Sequence, residues 1–332
     1  MTSKARAPRN RTLFLSDEDR GRLRPQLRNV AHCEPIEPNC VINANSLKLA
    51  KCLTPSSVDL LFLDPPYNLT KSYNGTKFYK KAVSEYTEWL DEMIGSFVSL
   101  LKPTASVYIC GDWLSSASIY PVASKHFTIR NRITWEREKG RGASANWKNA
   151  SEDIWFCTVS DNYFFDVSAV KLRRRVIAPY RKEDGTPKDW SATETGAFRD
   201  THPSNMWTDI TIPFWSMPEN TDHPTQKSEK LLAKILLASS RPGNLILDPF
   251  AGSGTTCVVA KKLGRRFIGV ELDEEYALLA LRRLELAGED QSIQGYTQGV
   301  FWERNTMAKQ SELREDSRLQ DSYSGADLFQ SE

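Results

Sequence analysis

Val58-Asp59-Leu60-Leu61-Phe62-Leu63-Asp64-Pro65-Pro66-Tyr67 is an apolar run that stops at a carboxylate, two prolines and a ring. An unbroken apolar run fits a strand buried on both faces, as in a parallel sheet. Proline has no N–H to donate, so the ladder ends there. The strand therefore delivers Asp64, the Pro65 carbonyl, Pro66 and the Tyr67 ring to its carboxyl end. That is the edge of an open α/β sheet where ligands bind, and Asp64 to Tyr67 is expected to be the reaction centre.

A second stretch has the same form. Leu245-Ile246-Leu247-Asp248-Pro249-Phe250-Ala251-Gly252-Ser253-Gly254-Thr255-Thr256 reads as strand, glycine turn and helix start. No Gly-Lys-Ser/Thr follows the glycines and the third glycine of a dinucleotide fingerprint is absent, so it is neither a P-loop nor a full dinucleotide motif. Gly252 and Gly254 still permit a tight turn and close backbone approach to a ligand. About 20 residues on, Phe267-Ile268-Gly269-Val270 ends in Glu271, placed to accept from ribose hydroxyls. Asp248 would repel a pyrophosphate, whereas a sulfonium nucleoside suits a carboxylate-lined pocket.

Strand and helix signals alternate around these stretches. Cys40 to Asn45, Ala105 to Cys110, Phe127 to Trp135 and Asp153 to Val159 read as strands. Tyr86, Trp89, Leu90, Met93, Phe97 and Leu101 recur at helical spacing. Leu231, Leu232, Ile235 and Leu236 line one helix face. Asp273 caps a last helix with Glu274 and Glu275 in its first turn, where the dipole favours acids. The expected fold is α/β: a doubly wound, mostly parallel seven-stranded sheet with an antiparallel edge strand. Residues 166–222 break the alternation and read as an inserted recognition region.

At 332 residues, the chain is long enough for one large domain with an insertion, and a net charge of +2 is too small to identify a partner. Its distribution says more. The first 28 residues and 171–188 are basic, fitting a solvated surface or phosphate contact equally well. Cys33, Cys40, Cys52, Cys110, Cys157 and Cys257 show no CxxC spacing and are expected to be reduced thiols without a metal site. No apolar run approaches a membrane span, and Met1 to Arg6 lacks the apolar core of a signal peptide. A cytoplasmic protein is expected.

With these residues in hand, the chain resembles the S-adenosylmethionine-dependent DNA amino-methyltransferases. Asp64-Pro65-Pro66-Tyr67 matches their catalytic motif and Asp248 to Gly254 their cofactor loop. The catalytic motif comes first, as in the permuted beta group. His223-Pro224-Thr225-Gln226-Lys227 matches a run that in this group contacts the methionine end of the cofactor. The resemblance covers about Val41 to Ala287. It implies a basic N-terminal arm (1–39), a catalytic half (40–165), a target-recognition region (166–222), a cofactor-binding half (223–288) and a polar, partly disordered tail (289–332). It implies S-adenosylmethionine bound by Asn45, His223, Thr225, Lys227, Asp248, Phe250, Ala251, Gly252, Ser253, Gly254 and Glu271. Asn45 stands where the group often carries an acid, and a simple turn residue is the competing reading.

The implied substrate is double-stranded DNA, with Lys71, Lys77, Arg173, Arg174, Arg175, Arg181 and Lys182 as its cationic contacts. An acid at the first motif position points to adenine N6, since cytosine-N4 members more often have Ser there. A cytosine-N4 enzyme and a catalytically silent DNA-binding relative are the alternatives. A homodimer and a cognate restriction endonuclease are further implied partners.

Overall fold

The computed structural model describes residues 7–28, 36–73, 76–137, 145–176, 180–193, 196–304 and 306, with only the backbone described at 71–73, 76–78 and 192–193. Two compact units divide the chain: Met1–Asp166 with Ser204–Gln291, and Val167–Pro203 with Ser292–Glu332.

The first unit holds strands β1 (Cys40–Asn43), β2 (Val58–Leu63), β3 (Lys71–Tyr73), β4 (Thr76–Phe78), β5 (Leu101–Gly111), β6 (Thr128–Glu136) and β7 (Ser151–Thr158). In the second unit follow β8 (Leu172–Arg175), β9 (Ser191–Thr193) and β10 (Gly196–Thr201). The first unit resumes with β11 (Met206–Trp207), β12 (Leu245–Asp248) and β13 (Arg266–Glu271), and the second ends with β14 (Tyr296–Thr297) and β15 (Val300–Trp302). The helices are α1 (Asp17–Leu23), α2 (Ser46–Leu49), α3 (Val83–Val98), α4 (Ser116–His126), α5 (Glu229–Ser239), α6 (Thr255–Lys262) and α7 (Glu274–Glu289), all in the first unit.

The main sheet runs β1-β13-β12-β2-β5-β7-β6-β11. It contains the seven expected strands, extended by the two-residue β11. β7 alone is antiparallel to its neighbours, and it lies inside the sheet because β6 and β11 pair beyond it. β6 and β7 succeed one another without an intervening helix among the described residues, so they pair as neighbours of opposite direction. β2 lies centrally, with Val58, Leu60, Leu61, Phe62 and Leu63 all at most 1% exposed. Chain order reverses between β2 and β12: β5 follows on one side and β13 on the other. The tips of β2 and β12 therefore flank the crevice of a topological switch point.

The N-terminal segment is more than a basic arm. Ser16 caps α1 in a capping box with Asp19. Leu15 and fully buried Leu23 pack against Leu278 and Leu279 of α7. Arg20 pairs with Glu275 at 2.7 Å, Arg24 with Glu274 at 2.7 Å, and Arg22 with Glu285. These three arginines face acids of α7.

Residues 204–222, assigned by pattern to the inserted region, belong to the first unit, where Trp207, Ile210 and Met217 are buried. They bury single side chains from irregular backbone and leave no periodic signal. In the second unit a sheet of order β14-β15-β8-β10-β9 encloses Phe198, Val300 and Trp302, so residues 296–302 carry strands within the expected tail. Cys40, Cys110, Cys157 and Cys257 are free, but Cys52 is disulfide-bonded. This corrects the expectation of six reduced thiols: CxxC spacing does not show which thiols the fold brings together. Cys33 lies outside the described residues. No helix among the described residues is long and apolar enough to cross a membrane.

Leu23→Ala should lower unfolding free energy by about 2–4 kcal/mol, as for other buried Leu→Ala changes, in a urea titration of the full chain. A change below about 0.5 kcal/mol, the size of a surface substitution, would mean that α1 is not part of the cooperative unit.

Candidate active site

Asp64 follows the last residue of β2, whose Leu63 pairs with Ile109 of β5. Its two carboxylate oxygens accept from Lys227 Nζ at 2.8 and 2.7 Å. The Tyr67 hydroxyl donates to Asp64 Oδ1 at 3.0 Å. Tyr86 reaches back from α3, its hydroxyl donating to the Pro66 carbonyl at 3.3 Å. Lys227 Nζ lies 3.4 Å from the Tyr67 oxygen and 5.6 Å from the ring centroid. It also lies 3.4 Å from Glu152 Oε2, at ion-pair rather than hydrogen-bond geometry. The other Glu152 oxygen is held by Arg137. Lys227 and Glu152 side chains are 6% and 3% exposed, a depth at which a charge without a partner is unfavourable. Burial pulls the Lys227 pKa down, but the charges of Asp64 and Glu152 outweigh it and raise it above the usual lysine range. Burial, then the same two carboxylates, holds the Tyr67 phenol protonated.

The sequence assigned Lys227 to the cofactor, and the structure puts its ammonium on Asp64. It missed Glu152 and Arg137, whose only signal was charge at the junction of two strands. Local hydrogen bonding explains how Lys227 is presented. Gln226 accepts from Thr221 N at 2.9 Å and donates to the Glu219 carbonyl at 2.6 Å. Ser228 caps α5, and the Lys227 carbonyl accepts from Thr255 Oγ1 at 3.1 Å.

The glycine turn leaves β12 beside this cluster. Asp248 accepts from Phe250 N at 3.0 Å and is 3% exposed. Gly252 and Gly254 have φ of +52° and +77°. A Cβ on Gly252 would meet His223 Nε2 at 2.9 Å, and one on Gly254 would meet Ala280 Cβ at 2.5 Å. Glycine is thus required by the His223 ring above the turn and by the close approach of α6 to α7. Glu271 accepts from Gly252 N and Asp273 N, each at 2.8 Å. Burial raises its pKa above the ordinary carboxylate value. Burial, with the nearby charges of Asp64 and Glu271, pushes Asp248 up to about 7.

Both motifs open onto one cleft of about 290 Å³. Asp64 and Phe62 line one side, His223, Thr225 and Lys227 another, and Asp248, Phe250, Ala251, Gly252 and Ser253 a third. Glu271 meets this lining through its bond to Gly252 N, and Gly254 follows Ser253 at the N-cap of α6. Asn45 caps α2, its Oδ1 accepting from Leu47 N at 3.0 Å. Two carboxylates, Asp64 and Asp248, and one ammonium, Lys227, line the cleft, and Glu271 adds a third carboxylate at the Gly252 turn. The donor set therefore fits a ligand that carries positive charge and hydroxyl donors beside apolar surface.

In the second unit Arg173 forms a two-pronged pair with Asp200 at 2.7 and 2.8 Å, and Arg181 donates to the Gly185 carbonyl at 2.8 Å. Arg174 Nε lies 3.9 Å from Glu303, while Arg175 and Lys182 are exposed. The side chains of Lys71 and Lys77 lie outside the described residues.

Residues 58–282 match the family model described as DNA methylase, N6_N4_Mtase. The chain is 36% identical over 268 residues to "DNA adenine methyltransferase YhdJ" of Escherichia coli (strain K12), covering 77% of this chain and 87% of that protein. It is 31% identical over 248 residues to "Type II methyltransferase M.HpaI" of Haemophilus parainfluenzae, covering 74% of each. Among solved structures, the cytosine-N4-specific PvuII DNA methyltransferase aligns with TM-score 0.56 at 16% identity, over 77% of this chain and 92% of that one. That likeness concerns the fold alone.

Asp248 gives a pH signature of known sign. Its carboxyl is held near 7 when folded, against an ordinary value of 3.8, so the folded state binds the extra proton between these values. The contribution of Asp248 to stability is therefore fully present below about pH 4 and is lost as pH rises through 7. Asp248→Asn can still accept from Phe250 N and carries no charge. Its stability relative to the natural protein should improve from pH 4 to pH 8 by at most about 4 kcal/mol, read from urea midpoints. A difference independent of pH would contradict the assignment.

Proposed function

We propose, from the premise that the chain belongs to the N6/N4 DNA methylase family, that it methylates the exocyclic N6 amine of adenine flipped out of duplex DNA, with S-adenosylmethionine as donor. One observation carries this reading. The Asp64 carboxylate and the Gly252 turn, from the two motifs, line a single cleft at the switch point. The carboxylate excess of that cleft suits a sulfonium nucleoside. Adenine is favoured over cytosine by Asp64 itself, and by the name of the 36%-identical relative.

The lone pair of an adenine amine is delocalised into the ring, so the amine needs acceptors that hold its N–H bonds. Asp64 and the Pro65 carbonyl supply two, and the proline pair fixes them before the substrate arrives. Lys227 holds both oxygens of Asp64 and orients the carboxylate. Tyr67 presents a ring for stacking on the extruded base, a contact of about 1–3 kcal/mol, while its hydroxyl steadies Asp64. Flipping is required because the amine is out of reach inside a duplex. Bound S-adenosylmethionine supplies an electrophilic methyl group. His223, Thr225, Phe250, Ala251, Ser253 and Glu271 are the residues placed to hold it. Asn45 contributes by capping α2.

Relatives named as type II methyltransferases support a restriction–modification setting with a cognate endonuclease, and the bacterial relatives support a cytoplasmic enzyme. A homodimer rests on the family resemblance. For DNA backbone contact, exposed Arg175 and Lys182 are better candidates than Arg173, whose guanidinium is committed to Asp200.

The decisive experiment is base-resolved methylation mapping after expression in a methylation-free host. N6-methyladenine at one recurring sequence is expected, and N4-methylcytosine alone would overturn the choice of base. Asp64→Ala should lower turnover by at least about 10²–10³-fold while calorimetric affinity for S-adenosylmethionine stays within about threefold. Replacing Arg175 and Lys182 together by alanine should reduce the slope of log Kd against log salt for duplex DNA by about 2. An unchanged slope would remove them from the interface.

A further inference from the structure

Glu152 lies outside both motifs, yet it is part of the charge chain that ends on Asp64. The chain runs Arg137, Glu152, Lys227, Asp64, alternating in sign and drawn from the ends of β6 and β7, the start of α5 and the end of β2. Strand register holds Glu152 in place. It pairs with Trp135 of β6, and the next residue, Asp153, pairs with Gly111 of β5. β7 continues as Ile154, Trp155, Phe156 and Cys157, all buried.

A buried carboxylate is unfavourable unless fully compensated. Arg137 satisfies one oxygen of Glu152. The other, Oε2, is buried, makes no hydrogen bond, and faces the Lys227 ammonium at 3.4 Å. Lysine is a point charge on a flexible four-carbon stem, and nothing in Asp64 alone fixes where along its two oxygens that charge rests. A second carboxylate on the far side does fix it.

We infer that Glu152 is a positioning residue for methyl transfer, anchoring the Lys227 ammonium so that Asp64 stays a fixed acceptor for the substrate amine. This rests on the reading of Asp64 given above. The arrangement follows a general logic in which the reacting group is oriented by a partner that is itself oriented by a third group. It makes a specific demand: Glu152 acts only through Lys227, so its effect vanishes when Lys227 is absent.

The test is a double-mutant cycle on the full chain, using labelled S-adenosylmethionine and DNA from a methylation-free host. Glu152→Gln should lower kcat by about 10–100-fold, with KM for S-adenosylmethionine within about threefold. Glu152→Asp should recover part of the loss. In the Lys227→Met background, Glu152→Gln should change kcat by less than about twofold. A wild-type kcat for Glu152→Gln, or an equal loss in both backgrounds, overturns the inference. A second readout needs no turnover: acetic anhydride should label Lys227 about tenfold faster in Glu152→Gln than in the natural protein. Unchanged labelling also overturns it. If the natural protein methylates none of the DNA, the reading of the reaction fails, and labelling still decides whether Glu152 anchors Lys227.

Discussion

A lysine ammonium buried between two carboxylates is the interaction on which the rest of this site depends. Lys227 touches Asp64 with both oxygens engaged and faces Glu152 behind. None of the three charges is tolerable alone at such burial. Together they tie the tip of β2, the start of β7 and the entrance to α5 to one point, so the acceptor is set before any ligand arrives. The Gln226 bonds to Thr221 and Glu219, and the bond from Thr255 to the Lys227 carbonyl, hold the backbone that presents it.

A second buried network supports the glycine turn. Arg283 of α7 donates to the Ser253 carbonyl at 2.9 Å and to Thr255 Oγ1 at 2.8 Å, and pairs with Glu229 at 3.0 Å. Lys262 completes the pairing of Glu229 at 2.7 Å. Glu219 accepts from Glu229 N at 2.7 Å, and burial with the neighbouring Glu229 charge pushes its carboxyl up to about 8. On the other flank of α5, Asp209 holds Lys230 and Lys234 at 2.8 and 2.7 Å. α5 thus carries charges buried on several sides. The apolar stripe of Leu231, Leu232, Ile235 and Leu236 marked one buried face only, because a pattern of residue types cannot show that the charges find partners 21 to 54 residues away.

Much of the fold was legible locally. The unbroken run of β2 announced a central strand, and the proline stop announced its end. The pattern Leu245 to Thr256 announced strand, turn and helix, and φ at Gly252 and Gly254 follows from it. Other features were not legible for physical reasons. Three N-terminal arginines, Arg20, Arg22 and Arg24, pair with acids of α7, remote in sequence. Trp207, Ile210 and Met217 are buried without periodicity. Asn45 caps α2 through Oδ1, a local bond open to any short polar residue.

The sequence by itself determined that two strands end in chemistry, one in a carboxylate with fixed carbonyls and one in a glycine turn. Those features are local: proline ends a ladder and glycine takes positive φ wherever they stand. Only the tertiary structure decided that the two ends share one cleft, that Lys227 serves Asp64, and that Glu152 stands behind it. The β2–β12 pairing joins Leu60 to Ile246 and Leu61 to Leu247 across most of the chain. Charge pairing at that separation depends on where the sheet places each strand, which no local pattern encodes.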